Sequence, residues 1–159
     1  MGAGKTSVGK TLARKMGLKF LDTDRLIEKQ EGMTVSRMFE TRGEEAFRRA
    51  ETNMLKSLLD REGKAVLSAG GGLPLKEENQ VLLKKLGLVV YLQVQPDTVF
   101  RRLKGDTSRP LLQGGDAKEK ITRLLAFRAP VYKKASHMFV DVDNKTLDEI
   151  AEEIRRNLT

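Results

Sequence analysis

The sequence contains no cysteine and no tryptophan, and it has one histidine and two tyrosines. Without cysteine, neither a disulfide framework nor a thiolate metal site can form. No apolar run approaches the length of a membrane span, and the N-terminal residues do not resemble a signal-peptide core. We therefore expect a cytoplasmic protein with no membrane partner. The scarcity of aromatic residues also argues against a stacking surface for single-stranded nucleic acid.

The chain of 159 residues suits one domain, and 39% of its residues are hydrophobic and available for a core. The net charge is +8, because 30 lysines and arginines outnumber 22 aspartates and glutamates. Such an excess is typical of proteins that bind nucleic acid, anionic membranes or small anions. Because the basic residues are scattered among acidic ones, we expect a phosphate-handling site and no nucleic-acid partner.

A glycine-rich motif opens the chain, with Gly2 and Gly4 followed by Lys5 and Thr6. It matches the end of the P-loop pattern G-x-x-x-x-G-K-[ST], whose first glycine would fall before Met1. Glycines let backbone N–H groups turn towards phosphate oxygens, and the following helix adds its N-terminal dipole. The lysine would reach the outer phosphates, and the threonine hydroxyl suits Mg²⁺. The alternative is a glycine-rich turn before an exposed helix.

Helical and strand-like segments alternate along the rest of the chain, which indicates an α/β layered fold with a mainly parallel sheet. Pro130 should bend or break the helix that begins at the capping box of Asp116 and Glu119. Ligands of such sheets bind at the carboxyl ends of the strands. The predicted strands cover residues 19–21, 65–68, 88–92 and 138–142, and the predicted helices begin near residues 5, 26, 35, 47, 76, 96, 116 and 146.

Polar residues and glycines lie at two of these predicted strand ends. Asp22 and Asp24 could divide their work, with one near a Mg²⁺ shell and the other accepting a proton from a substrate hydroxyl. Alternatively, one of them caps the following helix. The run Gly70-Gly71-Gly72 favours close approach of backbone N–H groups to a ligand, or else a sharp bend.

Arginines supply further candidate ligands. Of the adjacent Arg48 and Arg49, at most one should face the cleft, and Glu51 could orient Arg48. Arg109 lies in an irregular segment that resembles a lid closing over phosphates. Arg128 could hold a substrate carboxylate through two hydrogen bonds. Alternatively, Arg48 and Arg49 are solvated and Arg109 lies in an ordinary surface loop. The alternative for Arg128 is an arginine near a helix C-terminus that interacts favourably with the helix dipole.

Taken together, these motifs resemble the shikimate kinase family over essentially the whole chain. The resemblance implies an α/β, three-layer, adenylate-kinase-like P-loop fold with sheet order 2-3-1-4-5. It also implies one domain over residues 1–159, with a substrate-binding region at about 24–60 and a lid at about 105–116. The matching segments are Gly2-Ala3-Gly4-Lys5-Thr6, Leu21-Asp22-Thr23-Asp24, Phe47-Arg48-Arg49 with Glu51, Gly70-Gly71-Gly72, Ser108-Arg109-Pro110-Leu111-Leu112 and Arg128-Ala129-Pro130-Val131-Tyr132.

The activity implied by this resemblance is transfer of the ATP γ-phosphoryl group to the 3-hydroxyl of shikimate, in aromatic amino acid biosynthesis. The expected ligands are ATP, Mg²⁺ and shikimate, and a monomer is expected. Asp24 would be the base, and Lys5 and Arg109 would stabilise the transferring group. The implied nucleotide-binding residues are Gly2, Ala3, Gly4, Lys5, Thr6, Ser7, Arg102, Arg109 and Lys145. The implied shikimate-binding residues are Asp24, Arg48, Gly70, Gly71, Gly72 and Arg128, and the implied magnesium ligands are Thr6 and Asp22.

One departure from the family pattern concerns the strand before the phosphate loop, which is the central strand of the family's sheet. These 159 residues do not contain it. We expect either that the native chain starts earlier or that another segment fills the position. A central vacancy would expose two strand edges, so these residues alone should be poorly stable and should bind ATP weakly.

Three other functions remain open at this point. A gluconate-kinase-like enzyme would share the fold. A GTPase is suggested by the segment Asn144-Lys145-Thr146-Leu147-Asp148, but its spacing is one residue longer than N-K-x-D. A nucleic-acid binder would account for the basic charge alone.

Overall fold

A computed structural model of the protein describes residues 3–103 and 116–158, in which eight α-helices and four β-strands are found. No helix in these two ranges is long and apolar enough to cross a membrane. The strands are β1 (Lys19–Asp22), β2 (Ala65–Ser68), β3 (Val90–Gln93) and β4 (Met138–Asp141). The helices are α1 (Lys5–Met16), α2 (Thr23–Glu31), α3 (Val35–Arg42), α4 (Glu44–Leu58), α5 (Glu77–Leu86), α6 (Pro96–Leu103), α7 (Ala117–Ala135) and α8 (Leu147–Arg156).

Side-chain caps fix the beginnings of several helices, as their sequences predict. Thr34 Oγ1 accepts a hydrogen bond from Arg37 N at 3.1 Å at the start of α3. Thr146 Oγ1 accepts one from Glu149 N at 3.1 Å at the start of α8. Each bond satisfies an N–H group that has no partner within its own helix, so these helices begin at defined residues.

Pro130 does not break α7, contrary to one of the two outcomes expected for it. The helix runs continuously from Ala117 to Ala135 with Pro130 inside it. Proline lacks an N–H group, so the carbonyl left without its helical partner is that of Ala126. Because Ala126 is exposed, water can satisfy that carbonyl and the helix persists.

The strands form two parallel pairs. β1 pairs with β2, with Asp22 opposite Ser68, and β3 pairs with β4. These neighbours are those of the order 2-3-1-4-5 when β1 to β4 stand for its strands 2 to 5. Within the described residues no strand occupies the place of strand 1. β3 begins at Val90, two residues later than expected, and Leu88, which precedes the strand, is 47% exposed.

Two apolar clusters pack on the strand pairs. One joins α1, β4 and α8, and the strand residues Val66 and Val90 pack against it. The other joins α2, α3, α4 and α5, and it includes Leu73 of the 3₁₀ turn Leu73–Leu75 that follows β2. Burial of the apolar side chains in these two clusters is the main contribution to the stability of the fold. The second cluster therefore holds α4 close to the segment that leaves β2.

A buried polar network ties the 3₁₀ turn to α4. Asn79 Nδ2 donates to the carbonyl oxygen of Leu73 at 2.9 Å, and Thr52 Oγ1 donates to Asn79 Oδ1 at 2.8 Å. Asn79 is fully buried, and Thr52 is 4% exposed. Removing one partner from such a network leaves buried groups without hydrogen bonds, which costs more than one exposed bond contributes.

Replacing Asn79 by alanine should therefore lower the free energy of unfolding by about 2–4 kcal/mol, the usual cost of a small cavity plus two unsatisfied buried groups. Urea denaturation measures this loss. Asn157→Ala is the matched control, since its amide also bonds a backbone carbonyl, that of Glu153 at 2.8 Å, but on the exposed surface. Equal losses in the two variants would contradict a stabilising role for the buried network.

Candidate active site

The site forms where β1 and β2 end side by side. Because Asp22 pairs in register with Ser68, the residues that follow the two strands leave the sheet at the same edge. Gly70 N donates a hydrogen bond to Thr23 Oγ1 at 2.9 Å, and Thr23 is fully buried. This bond connects the first turn of α2 to the segment Gly70-Gly71-Gly72, here called the three-glycine turn, 47 residues further along the chain.

Gly70 lies between two carboxylates. A Cβ atom built on it would lie 3.0 Å from Asp24 Oδ1 and 3.4 Å from Glu51 Oε2. Asp24 is on α2 and Glu51 is on α4, so carboxylates from two different helices lie close to this glycine. A side chain at this position would fill the space beside Asp24.

Gly71 and Gly72 lie against cations. A Cβ atom on Gly71 would lie 2.7 Å from Arg128 Nη1 and 3.8 Å from Lys5 Nζ, and one on Gly72 would lie 2.5 Å from Arg48 Nη2. Contacts shorter than 3.0 Å require the guanidinium groups to move. In the structure, the groups close to these glycines are the protein's own charged side chains, and the close approach of a ligand to their backbone stays a prediction.

Asp22, rather than Asp24, caps the helix that follows. Asp22 Oδ1 accepts hydrogen bonds from Asp24 N at 2.9 Å and from Arg25 N at 3.3 Å. Asp24 is left to point towards the three-glycine turn. Burial raises the pKa of Asp24, and the nearby Asp22 raises it further, whereas Lys5 acts in the opposite direction. A carboxyl group with a raised pKa beside a cleft is suited to accept a proton.

Glu51 orients Arg48, as the spacing of three residues suggests. Arg48 Nη1 lies 2.7 Å from Glu51 Oε1, and the Glu51 side chain is 1% exposed. Burial alone would lower the pKa of Arg48, but its hydrogen bonds and attraction to Glu51 and Glu44 raise that pKa. Burial raises the pKa of Glu51, while the paired Arg48 opposes this shift. Arg48 is thus a cation held in place by Glu51 next to Gly72.

Arg128 approaches the same turn from α7. Its Nη1 donates to Tyr132 Oη at 3.5 Å, and Tyr132 Oη donates to the carbonyl oxygen of Gly71 at 2.5 Å. Within the described part of the chain, Arg128 Nε and Glu51 Oε2 are buried without a hydrogen-bond partner. Buried polar atoms normally have a hydrogen-bond partner, so a bound ligand could supply the hydrogen bonds that these two atoms lack.

The beginning of α1 has features that favour binding of an anion. Gly4 has φ of 82°, a left-handed conformation that glycine adopts without strain, and it makes no side-chain cap. The first turn of α1 contains no acidic residue, and Thr6 and Ser7 are exposed. The backbone N–H groups and the dipole of this helix start therefore favour phosphate, and Lys5 is the first residue of the helix.

A cleft of about 430 Å³ adjoins this helix start and is lined by Ala3, Gly4, Ser7, Arg102 and Lys145, among others. A Cβ atom on Gly4 would lie 3.5 Å from Arg102 Nη1. The Lys145 ammonium group lies 2.9 Å from Glu153 Oε2, which holds it at the rim. Several hundred cubic ångströms suit a nucleotide-sized ligand. Five of the predicted nucleotide-binding residues therefore line one cleft, whereas Lys5 and Thr6, in the first turn of the same helix, are not among its lining residues.

Two side-chain oxygen ligands, those of Thr6 and Asp22, are suited to a magnesium ion that accompanies a nucleotide. Mg²⁺ keeps several waters and takes one or two protein oxygens together with phosphate. Within residues 3–103 and 116–158, no cluster of three or more acidic or histidine side chains could hold a metal by itself. Thr6 supplies an exposed hydroxyl, and the Oδ2 atom of Asp22 takes no part in the helix cap.

Some predicted site residues lie outside the described ranges, namely Gly2, Arg109 and the lid segment at 105–115. Sequence reasoning also missed two groups that the structure places in the site. Thr23 lies between two aspartates, and nothing in the sequence marks its hydroxyl as a partner of Gly70. For Tyr132 a signal exists, because its position four residues after Arg128 on a helix places both on one face.

Comparison with known proteins shows similarity to shikimate kinases. The family model described as shikimate kinase matches residues 1–159. The shikimate kinase of Thermodesulfovibrio yellowstonii is 44% identical over 97% of this chain and 88% of its own length. That of a Sulfurihydrogenibium species is 45% identical over 97% of this chain and 90% of its own length.

Solved structures agree with the sequence match. A shikimate kinase from Acinetobacter baumannii in complex with shikimate has a TM-score of 0.91 and 38% identity, covering 99% of this chain and 88% of its own. The Aquifex aeolicus shikimate kinase has a TM-score of 0.84 and 33% identity, covering 99% of this chain and 91% of its own. The predicted three-layer, adenylate-kinase-like P-loop fold is thereby confirmed. The chain accordingly belongs to the shikimate kinase family, whose members are ATP-dependent phosphotransferases.

Proposed function

We propose that this chain transfers the γ-phosphoryl group of ATP to the 3-hydroxyl of shikimate, giving shikimate 3-phosphate and ADP. The observation that carries this proposal is the cluster of charges around the three-glycine turn. Arg48, Arg128, Lys5 and Asp24 converge there beside a helix start that is suited to phosphate. A cyclic hydroxy acid needs cations for its carboxylate and one carboxylate for its reacting hydroxyl, and this cluster offers both.

The protein residues have separate tasks in this reaction. The 3-hydroxyl oxygen attacks the γ-phosphorus, the bond from that phosphorus to the β,γ-bridging oxygen breaks, and the hydroxyl proton passes to Asp24. Lys5, together with Arg109, stabilises the charge on the transferring group. Gly2 to Ser7 hold the phosphates through backbone N–H groups. Phosphoryl transfer depends mainly on such positioning and charge stabilisation.

The two ligands are bound at opposite sides of Lys5. Arg48 and Arg128 take the shikimate carboxylate, and Gly70 to Gly72 surround the ring. Arg102 and Lys145 flank the nucleotide base. Thr6 and Asp22 would hold magnesium, which would neutralise phosphate charge. We also propose that residues 24–60 form the substrate-binding region, that residues 105–116 form a lid, and that the enzyme is cytoplasmic and monomeric.

A coupled assay of ADP release tests the proposed function. We expect saturable turnover with shikimate and ATP, and turnover at least about 100-fold lower with gluconate, because an unfilled hydrogen-bonding site rejects a wrong ligand strongly. The control reaction contains ATP alone and measures background hydrolysis. Equal turnover with gluconate, or none with shikimate in a folded sample that binds ATP, would refute the assignment.

A further inference from the structure

The hydroxyl group of Tyr132 connects two parts of the site that come from distant segments. It donates to the carbonyl oxygen of Gly71 at 2.5 Å, across 61 residues of sequence, and accepts from Arg128 Nη1 at 3.5 Å. One oxygen can make both bonds because a hydroxyl is at once donor and acceptor. The hydroxyl therefore joins the cation on α7 to the three-glycine turn.

The ring of Tyr132 is held independently of this hydroxyl. It packs edge-on against the ring of Tyr91 on β3, with centroids 5.2 Å apart and planes at 63°. Aromatic pairs of this geometry are favourable beyond their buried area. Burial raises the pKa of Tyr132, while Arg128 acts in the opposite direction, so the phenol keeps its proton and remains a donor to Gly71.

Both groups joined by the hydroxyl would otherwise have conformational freedom. Arg128 is a long side chain whose ordering costs rotamer entropy, and its buried Nε has no hydrogen-bond partner among the described residues. Gly71 has no side chain to restrict its backbone. A hydrogen bond to the Gly71 carbonyl fixes a planar peptide unit, which also sets the direction of the Gly72 N–H group.

We propose that Tyr132 is a positioning residue that aligns Arg128 with the three-glycine turn for binding of the substrate carboxylate. This inference rests on the proposed function, since it concerns the same carboxylate. It assigns to Tyr132 no contact with the substrate and no role in proton transfer. Its effect is transmitted through Arg128, so it should appear in shikimate affinity and should disappear when Arg128 is removed.

The test compares Tyr132→Phe with the unaltered protein in shikimate affinity, KM and kcat. The substitution keeps the ring and its contact with Tyr91, and removes only the hydroxyl. We expect the Kd and KM for shikimate to rise about five-fold to ten-fold, as for loss of one hydrogen bond, with kcat and the KM for ATP changed less than about two-fold. Isothermal titration calorimetry gives the Kd, and the coupled assay gives the other constants.

Tyr91→Phe is the matched control. It also removes a phenolic hydroxyl, but from the neighbouring ring against which Tyr132 packs. It should leave the KM for shikimate within about two-fold of the original value. A double-mutant cycle combines Tyr132→Phe with Arg128→Ala. In the Arg128→Ala background, Tyr132→Phe should change the Kd for shikimate less than about two-fold.

The possible outcomes are distinct. An unchanged shikimate affinity in Tyr132→Phe would overturn the proposal, as would a full penalty that persists without Arg128. A variant with a lower melting temperature that loses shikimate and ATP affinity together would show a purely structural role and would also overturn it. If the unaltered protein binds ATP but not shikimate, the proposed function fails before the variants are compared, so the two failures are distinguishable.

Discussion

Replacing Asp24 by asparagine should reduce kcat by about 10²–10⁴-fold, the range over which a positioned general base contributes. Asparagine has nearly the same shape but cannot accept a proton at neutral pH. Asp24 Oδ1 lies beside Gly70, at the point where the substrate hydroxyl is proposed to bind. ATP affinity should change little, because the predicted phosphate-binding loop lies at the start of α1, whereas Asp24 lies on α2. Steady-state ADP release and calorimetric titration with ATP measure the two effects.

The matched control for this experiment is Asp148→Asn, which makes the same chemical change at an exposed position. Asp148 is 72% exposed and lies 3.0 Å from the Lys15 ammonium group. We expect unchanged kcat in this control. Normal turnover in Asp24→Asn would remove Asp24 from the role of base and leave the proton to another acceptor or to water.

Replacing Arg128 by alanine should raise the KM for shikimate by about 10–100-fold, because charge-assisted hydrogen bonds to a carboxylate contribute about 1.5–3 kcal/mol. The buried Nε of Arg128 lacks a protein partner within the described residues, so its hydrogen bond would be made to the ligand. The change in kcat should be smaller, because the carboxylate that Arg128 is proposed to bind is remote from the reacting hydroxyl.

Arg123→Ala on the same helix is the control for this prediction. Arg123 is 77% exposed, and it pairs with Glu119 on the surface of α7. A surface pair of this kind contributes little, so the KM for shikimate should stay the same. An unchanged KM in Arg128→Ala would contradict the assignment of Arg128 to the carboxylate.

Methyl shikimate, which lacks the charged carboxylate, should bind the unaltered protein and the Arg128→Ala variant about equally weakly.

Several contacts of the site could be predicted because they are local in sequence. Glu51 follows Arg48 by three residues on one helix, so their ion pair could be inferred from helix geometry. The strand-end positions of Asp24 and of the three-glycine turn follow from the alternation of helices and strands. The capping role was harder to assign, because either Asp22 or Asp24 could begin α2. Only the backbone geometry shows that Asp22 takes it.

Other contacts could not be predicted, because they join segments distant in the chain. The bond from Tyr132 to Gly71 spans 61 residues, and that from Gly70 to Thr23 spans 47. The buried link between Asn79 and Thr52 spans 27. Nothing in the residue types alone selects these partners, since each side chain could bond many backbone or side-chain groups.

The sequence by itself determined which chemical groups are present and the local elements that carry them, because helix caps, periodicity and glycine spacing act over a few residues. The tertiary structure decided which groups meet. It packed α4 and α7 around the turn after β2, and so brought Arg48, Arg128 and Asp24 to one place. The physical reason is that these contacts depend on burial of apolar faces between whole elements, which is set by the fold as a unit.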